Sequence, residues 1–148
     1  MSMFKVFDIS GSAVSAQSQR LNVVASNLAN VDTVAGPDGS AYKARNVVFQ
    51  TVMMAASGNI SADTTGDPVT ASAGVRVSNV VEDQTPGRKV HDPSHPSADA
   101  DGNVTYSNVN AVEEMVNMIS SSRSYQNNIE VMNTAKSLLL KTLQMGQS

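Results

Sequence analysis

The sequence predicts an α+β fold in which long N- and C-terminal helices pair as an antiparallel coiled coil, with a small β-rich insert between them. Three observations lead to this fold. Apolar residues recur at helical spacing near the N-terminus, they do so again over the C-terminal quarter, and the region between is rich in Gly, Pro, Ser, Thr and Asp with short β-like runs. Each helix has one apolar face that needs a partner. Because no other segment offers such a face, the two helices are expected to cover each other.

The first predicted helix covers about residues 3–31. Val24 and Val31 occupy one seam position, and Gly11 interrupts the early turns. A glycine inside a helix costs about 1 kcal/mol relative to alanine. We therefore expect the first ten residues to be frayed or to form a separate element. The other seam position recurs every seven residues, at Phe7, Val14, Leu21 and Leu28.

This helix is expected to end in the stretch ASNLANVDT, residues 25–33, which contains Asn27 and Asn30. Asparagine tolerates the left-handed conformation that often ends a helix. The two asparagines are three residues apart, so they also share one side of the helix.

The insert is predicted to span residues 32–109. Its strongest strand candidates are YKARNVVFQTV, residues 42–52, and VRVSNVV, residues 75–81, because both are rich in strand-forming residues. RKVHD and NVTYS are weaker candidates. A flexible loop is expected around residues 53–74, where Gly, Ser, Thr and Asp dominate.

The last predicted helix follows Asn110 and stops at Gly146, so residues 1–31 and 110–148 together form the predicted coiled-coil domain. Asn110 is a good N-cap with Glu113 three residues later, as in a capping box, and glycine is a natural helix stop. A lone helix pair is marginal in water, so assembly with copies or partners is expected. The predicted seam residues are Met115, Met118, Ser122, Tyr125, Ile129, Met132, Leu139 and Leu143, with Val112, Val116 and Ile119 widening the face.

Composition excludes several classes of function. The net charge is −3 and the largest basic cluster is the pair Arg88 and Lys89, whereas nucleic-acid binding needs a basic footprint. The sequence has no run of about 18 apolar residues that would predict a membrane span, and its first 12 residues do not read as a cleavable signal peptide. The absence of cysteine rules out disulfides, thiol catalysis and cysteine-ligated zinc.

The densest group of candidate metal ligands is HDPSHPSADADGN, residues 91–103. Pro93 and Pro96 prevent the continuous helix on which two zinc-binding histidines four residues apart would lie. The spacing of a calcium loop is also incomplete. No nucleophile motif, phosphate loop or dinucleotide-binding motif is present. The sequence therefore favours a structural protein with no cofactor, catalytic site or metal site; the alternatives are a metal-dependent small hydrolase and a soluble coiled-coil adaptor.

Three separated segments resemble the bacterial flagellar basal-body rod protein family. LNVVASNLANVDT, followed by YKARNVVF, is similar to the N-terminal signature of flagellar rod and hook proteins. The segment that begins NVNAVEEMV, residues 108–146, resembles their C-terminal helix. HDPSHPSADADGNVTYSNVN, residues 91–110, looks like a segment peculiar to the proximal rod member of the family.

The resemblance implies a structural subunit of the proximal rod that assembles helically and transmits torque across the periplasm. The implied partners are copies of the chain, other rod subunits (FlgB-type, FlgF-type and FliE-type) and the flagellar type III export apparatus. The implied location is the periplasmic rod of the flagellar basal body, reached by export without a cleaved signal peptide.

The resemblance also suggests which side chains meet across the helix pair or face a neighbouring subunit. Asn27 and Asn30 are expected to hydrogen-bond to backbone at the junction of helix and insert, within the subunit or across to the next. The terminal helices are expected to be partly disordered in the isolated monomer. The interface candidates are Leu21, Val24, Asn27, Leu28 and Asn30 in the first helix, and Met115, Ile119, Arg123, Tyr125, Ile129 and Leu139 in the last.

Overall fold

The computed structural model describes residues 3–36, 38–54 and 72–146. This part of the chain confirms an α+β fold with two long terminal helices and a small β insert. In chain order the elements are helix α1 (Met3–Ala29), strands β1 (Arg45–Met54), β2 (Ser72–Glu82), β3 (Lys89–His91) and β4 (Asn103–Thr105), and helix α2 (Ala111–Met145).

Helix α1 is continuous from Met3 through Gly11, so the expectation of a frayed or separate first segment is wrong. Tertiary contacts offset the weak helix propensity at this point. The Ser12 hydroxyl donates to the backbone oxygen of Ile9 at 2.7 Å and accepts from the backbone N–H of Val75 on β2 at 3.1 Å. The insert thus lies against α1 and stabilises the turns that propensity alone would loosen.

The four strands form two separate antiparallel pairs. In the first pair Arg45 of β1 lies opposite Glu82 of β2, and the register shifts between Val48 and Phe49. In the second pair Lys89 of β3 lies opposite Thr105 of β4. Both strong strand predictions and both weaker ones are confirmed, although β1 begins and ends later than the sequence indicated and β2 is longer at both ends.

Most of the flexible loop expected around residues 53–74 falls on residues 55–71, which lie outside the described residues. At its two ends the prediction is wrong. Met53 and Met54 belong to β1, and Ser72 to Gly74 belong to β2, because the strands pair as far as Met54 and Ser72.

Helix α2 begins where its N-cap was predicted. The Asn110 side-chain oxygen accepts from the backbone N–H of Val112 at 3.1 Å and of Glu113 at 3.5 Å. Gly146 follows the last helical residue, and its N–H bonds to the oxygen of Thr142. The two helices contact each other, and the Arg20 guanidinium donates to the side-chain oxygen of Asn117 at 3.2 Å.

The core is built from small side chains. Leaving Met3 and Met54 aside, no leucine, isoleucine, methionine or phenylalanine within the described residues is buried. Val104 of β4 is the largest apolar side chain with no exposed surface. The buried apolar residues are Ala16, Val24, Ala44, Val104 and Ala135.

Candidate functional site

The junction between α1 and the insert is organised around Asn27, whose side chain is completely buried. Its amide oxygen accepts from the backbone N–H of Arg45 and from the hydroxyl of Tyr42, both at 3.0 Å. Its amide nitrogen donates to the backbone oxygen of Arg45 at 2.8 Å. Asn27 therefore pairs with β1 as another strand would, and it fixes the point at which β1 leaves the helix.

Asn30 has a more local role at the same junction. Its side-chain nitrogen donates to the backbone oxygen of Ser26 at 2.8 Å, one turn back in the helix. The Thr33 hydroxyl in turn donates to the backbone oxygen of Asn30 at 2.7 Å. In the structure of the single chain, both asparagines bond to backbone of the same subunit, and together they close the helix and turn the chain into the insert.

Two further residues tie the chain down where it returns to α2, and sequence reasoning missed them. The Ser107 hydroxyl donates to the backbone oxygen of Val31 at 2.7 Å. The Asn108 side-chain oxygen accepts from the backbone N–H of Ala44 at 2.7 Å, and its nitrogen donates to the backbone oxygen of Thr85 at 3.1 Å. The only available signal was the polar run SNVN, which resembles an ordinary loop.

The side of α2 that faces inward overlaps only in part with the predicted seam. Six of the eight predicted seam residues are half-buried, whereas Met115 and Leu143 are exposed. Glu114, Ser121 and Ala135 are its buried residues, each spaced by a multiple of seven positions from the next. Met115 and Ser122, the predicted seam residues, lie one position away, and Met115 is 51% exposed. The fully buried positions of α2 thus carry small or polar side chains, and larger side chains beside them are only half-buried.

The large apolar residues near the start of α2 form an exposed stripe instead. Their exposed fractions run from 51 to 70%. Ile119 also lines a shallow cleft with Arg123, whose side chain is exposed. We call these residues the outer stripe of α2: Val112, Met115, Val116, Ile119 and Arg123.

The predicted interface candidates therefore divide into three groups. Val24 and Asn27 are buried inside the subunit. Met115, Ile119 and Arg123 belong to the outer stripe and face away from the chain. The remaining candidates are half-buried: Leu21, Leu28, Asn30, Tyr125, Ile129 and Leu139.

The segment HDPSHPSADADGN forms a sequence of turns between β3 and β4. The Ser94 hydroxyl donates to the Asp92 carboxylate at 2.6 Å, and this bond, with that of the Ser94 backbone N–H, lowers the pKa of Asp92. The His91 Nδ1 lies 3.3 Å from the side-chain oxygen of Asn103. The His95 Nδ1 accepts from the backbone N–H of Ser97 at 3.1 Å. These ring nitrogens and this carboxylate thus shape the loop.

No group of three or more His, Asp or Glu side chains in residues 3–36, 38–54 and 72–146 is placed to hold a metal ion. Over the same residues, neither helix has the combination of length and apolar character that crossing a bilayer requires.

Comparisons with known proteins agree with this architecture. Residues 7–37 match the family model described as flagella basal body rod protein, and residues 100–145 match that of the flagellar basal body rod FlgEFG protein C-terminal region. The chain is 53% identical to the flagellar basal-body rod protein FlgC of Salmonella typhimurium strain LT2 over 147 residues, which cover 99% of this chain and 100% of that protein.

Two other relatives with the same printed name cover equal shares of both chains. The FlgC protein of Escherichia coli O157:H7 is 52% identical over 147 residues. That of Bacillus subtilis strain 168 is 36% identical over 151 residues. The likeness therefore includes the insert as well as both terminal helices.

Proposed function

Because the chain belongs to the family of flagellar basal-body rod proteins FlgC, it is a structural rod subunit of the flagellar basal body and not an enzyme, and we propose that it builds the proximal rod. In this role it assembles helically with copies of itself and with other rod components. The assembled rod transmits torque across the periplasm.

The observation that carries this proposal is the mismatch between a core of small residues and the exposed apolar surface. In the described residues every buried apolar side chain is Ala or Val, whereas the outer stripe of α2 exposes one isoleucine, one methionine and two valines. Exposed contiguous apolar surface in a soluble chain marks a protein interface. A subunit of a rod can cover that surface with its neighbours.

We also propose that α1 and α2 form an antiparallel coiled coil. Two observations support opposite directions. Arg20, late in α1, bonds to Asn117, early in α2, whereas Val6, early in α1, lines a groove with Val131 and Leu138, late in α2. Residues 1–31 and 110–148 would then form the helical domain of the subunit, and residues 32–109 the insert outside it.

The proposed partners are copies of this chain and rod subunits of the FlgB, FlgF and FliE types. Passage through the flagellar type III export apparatus, without a cleaved signal peptide, would deliver the chain to the periplasmic rod. The small core supports this route, because a chain of low stability can be exported unfolded and ordered on assembly.

The candidates that face outward are proposed to contact neighbouring subunits: Met115, Ile119 and Arg123. The half-buried candidates are proposed to serve both the helix pair and its neighbours, because each retains exposed surface on one side: Leu21, Leu28, Asn30, Tyr125, Ile129 and Leu139.

A substitution on the outer stripe tests the proposal without disturbing the subunit core. Ile119→Asp is expected to abolish swimming and to remove the protein from isolated basal bodies, because a carboxylate cannot be buried in an apolar contact without a partner. Ile119 is 55% exposed in the single chain, so the substitution is expected to leave the monomer folded.

The matched control is Ser78→Asp, which adds the same charge at an exposed position of β2 outside the outer stripe. Swimming and the protein content of basal bodies are expected to stay normal in this control. Normal swimming of the Ile119→Asp variant would contradict the proposal. Absence of the unsubstituted protein from basal bodies would favour a soluble adaptor instead.

A further inference from the structure

A cleft of about 390 Å³ lies between the C-terminal half of α1, the start of β1 and the first turns of α2. Glu114 is part of its wall and is only 6% exposed. One oxygen of the Glu114 carboxylate, Oε2, has no hydrogen-bond partner among the described residues. The other side chains used below that line the cleft are Arg20, Arg45, Glu113 and Asn117.

The two arginines of the cleft are engaged by other groups. Arg20 donates to Asn117 at 3.2 Å. Arg45 forms an ion pair with Glu82 at 3.3 Å, and its guanidinium lies 5.8 Å from the centre of the Tyr42 ring. Neither contact involves the carboxylate of Glu114.

A buried carboxylate oxygen without a donor is unfavourable, and such groups in native proteins are normally hydrogen-bonded. The chemical partner that fits best is a guanidinium, because its planar fork of N–H groups matches a carboxylate. The cleft is open to the surface and large enough to accept such a group from outside the subunit, and the Glu114 carboxylate must turn its enclosed oxygen toward the cleft to meet it.

Arg123 is the exposed arginine that lies in the outer stripe. It makes no ion pair or hydrogen bond with any other residue in the described ranges. It is nine residues from Glu114, which is about two and a half helical turns, so the two side chains lie on opposite sides of α2. Arginine beside apolar residues is also typical of protein interfaces.

We propose that Arg123 of one copy of the chain enters this cleft on a second copy and pairs with the Glu114 carboxylate. The proposal rests on the proposed function, since it requires copies to be neighbours in the rod. Because the donor and acceptor lie on opposite sides of the subunit, each copy can give one contact and receive another. Such a head-to-tail contact does not stop at a dimer, and it gives an open helix when the rotation between copies does not close a ring.

Cysteine cross-linking in isolated basal bodies tests this contact, and the chain contains no cysteine to interfere. The substitutions are Glu113→Cys, at the cleft, and Ser120→Cys, beside Arg123. These positions are seven residues apart on one helix, about 10 Å along its axis, which is beyond the ~7 Å limit between the Cα atoms of a disulfide. Any disulfide between them must therefore join two chains.

Mild oxidation of basal bodies that carry both substitutions is expected to give a ladder of dimers and higher multimers on a non-reducing gel. Adding Arg123→Gln is expected to lower the multimer yield at least tenfold, and Glu114→Gln is expected to do the same. The matched control Lys136→Gln removes another exposed positive charge of α2 and is expected to leave the yield unchanged.

Several outcomes would overturn the contact while the proposed function stands. One is a lack of multimers in basal bodies that do contain the doubly substituted protein. Another is a ladder that does not change with Arg123→Gln. If Glu114→Gln alone lowers the yield, the donor is a group other than Arg123, such as Arg20 of the same chain. Absence of the unsubstituted protein from basal bodies would instead overturn the proposed function itself.

Discussion

At the scale of single residues, Asn27 has the most demanding role in the described part of the molecule. A primary amide offers a donor and an acceptor in one plane, which matches the N–H and C=O of one backbone residue. Asn27 uses both groups on Arg45 and adds the hydroxyl of Tyr42. Neither aspartate, which lacks the donor, nor serine, which is shorter, can make all three bonds.

Replacing Asn27 by alanine is expected to loosen the start of β1. The Arg45 N–H and C=O would lose their partners, and an unsatisfied buried polar group costs about 1–3 kcal/mol. Because about 1.4 kcal/mol corresponds to a factor of ten, exchange of the Arg45 amide hydrogen should accelerate by about fivefold to a hundredfold. Hydrogen-exchange mass spectrometry of the purified chain measures this rate.

Asn22→Ala is the matched control, because Asn22 is exposed on the same helix. Its exchange rates around Arg45 are expected to equal those of the unsubstituted chain. Unchanged exchange in Asn27→Ala would mean that the three hydrogen bonds contribute little to holding β1.

At the scale of elements, α2 has two sides of different chemical character. Its inward side carries the small and polar residues Glu114, Ser121 and Ala135, so that α1 can approach closely. Ser121 has no exposed surface, and its hydroxyl donates a hydrogen bond to the backbone oxygen of Asn117, one turn earlier, at 2.7 Å. Its outer stripe carries larger apolar residues that nothing within the described chain covers.

Ser121→Leu is expected to force the two helices apart. Inserting a large side chain into a packed contact costs typically about 1–3 kcal/mol, which is a large part of the stability of a chain with so small a core. The helical signal in far-ultraviolet circular dichroism should fall, and swimming should be impaired.

Two control variants distinguish the effect of side-chain size at this position from the effect of losing the hydroxyl. Ser121→Ala keeps the side chain small and is expected to retain the helical signal. Ser120→Leu adds the same bulk at the neighbouring exposed position and should retain it as well. If Ser121→Leu retained the full signal, the close approach of the helices would not limit side-chain size.

At the scale of the whole molecule, the core is too small for the surface it has to stabilise. Burying an apolar side chain the size of valine or leucine contributes about 1.5–3 kcal/mol, and only two of the buried apolar residues, Val24 and Val104, are larger than alanine. Neighbouring subunits would supply the missing burial. The order of the helices would then depend on assembly.

The isolated monomer is therefore expected to contain less helix than the 27 residues of α1 and 35 residues of α2 would give. The helices should loosen first at their free ends, since the other ends are tied to the insert by Asn27 and Ser107. Circular dichroism of the purified monomer measures the helical content. Hydrogen exchange in isolated basal bodies is the comparison, and there the same helices should be protected throughout. A monomer that is fully helical and thermally stable would contradict this expectation.

The sequence by itself determined the class of fold and most of its boundaries, because these depend on local physics. Periodic apolar residues placed both helices, and Asn110 and Gly146 placed the ends of α2. Runs of β-branched residues placed the strands. The end segments also carried the resemblance to flagellar rod proteins, which full-length relatives confirmed.

Only the tertiary structure decided which faces meet. Continuity of α1 through Gly11 depends on the contact of Ser12 with Val75, two residues that are distant in the sequence. The fully buried positions of α2 are Glu114, Ser121 and Ala135, which periodicity did not indicate because it records only where large apolar side chains recur. The partners of Asn27, and the unpaired Glu114 opposite Arg123, likewise depend on how distant segments pack, which no local pattern of residues encodes.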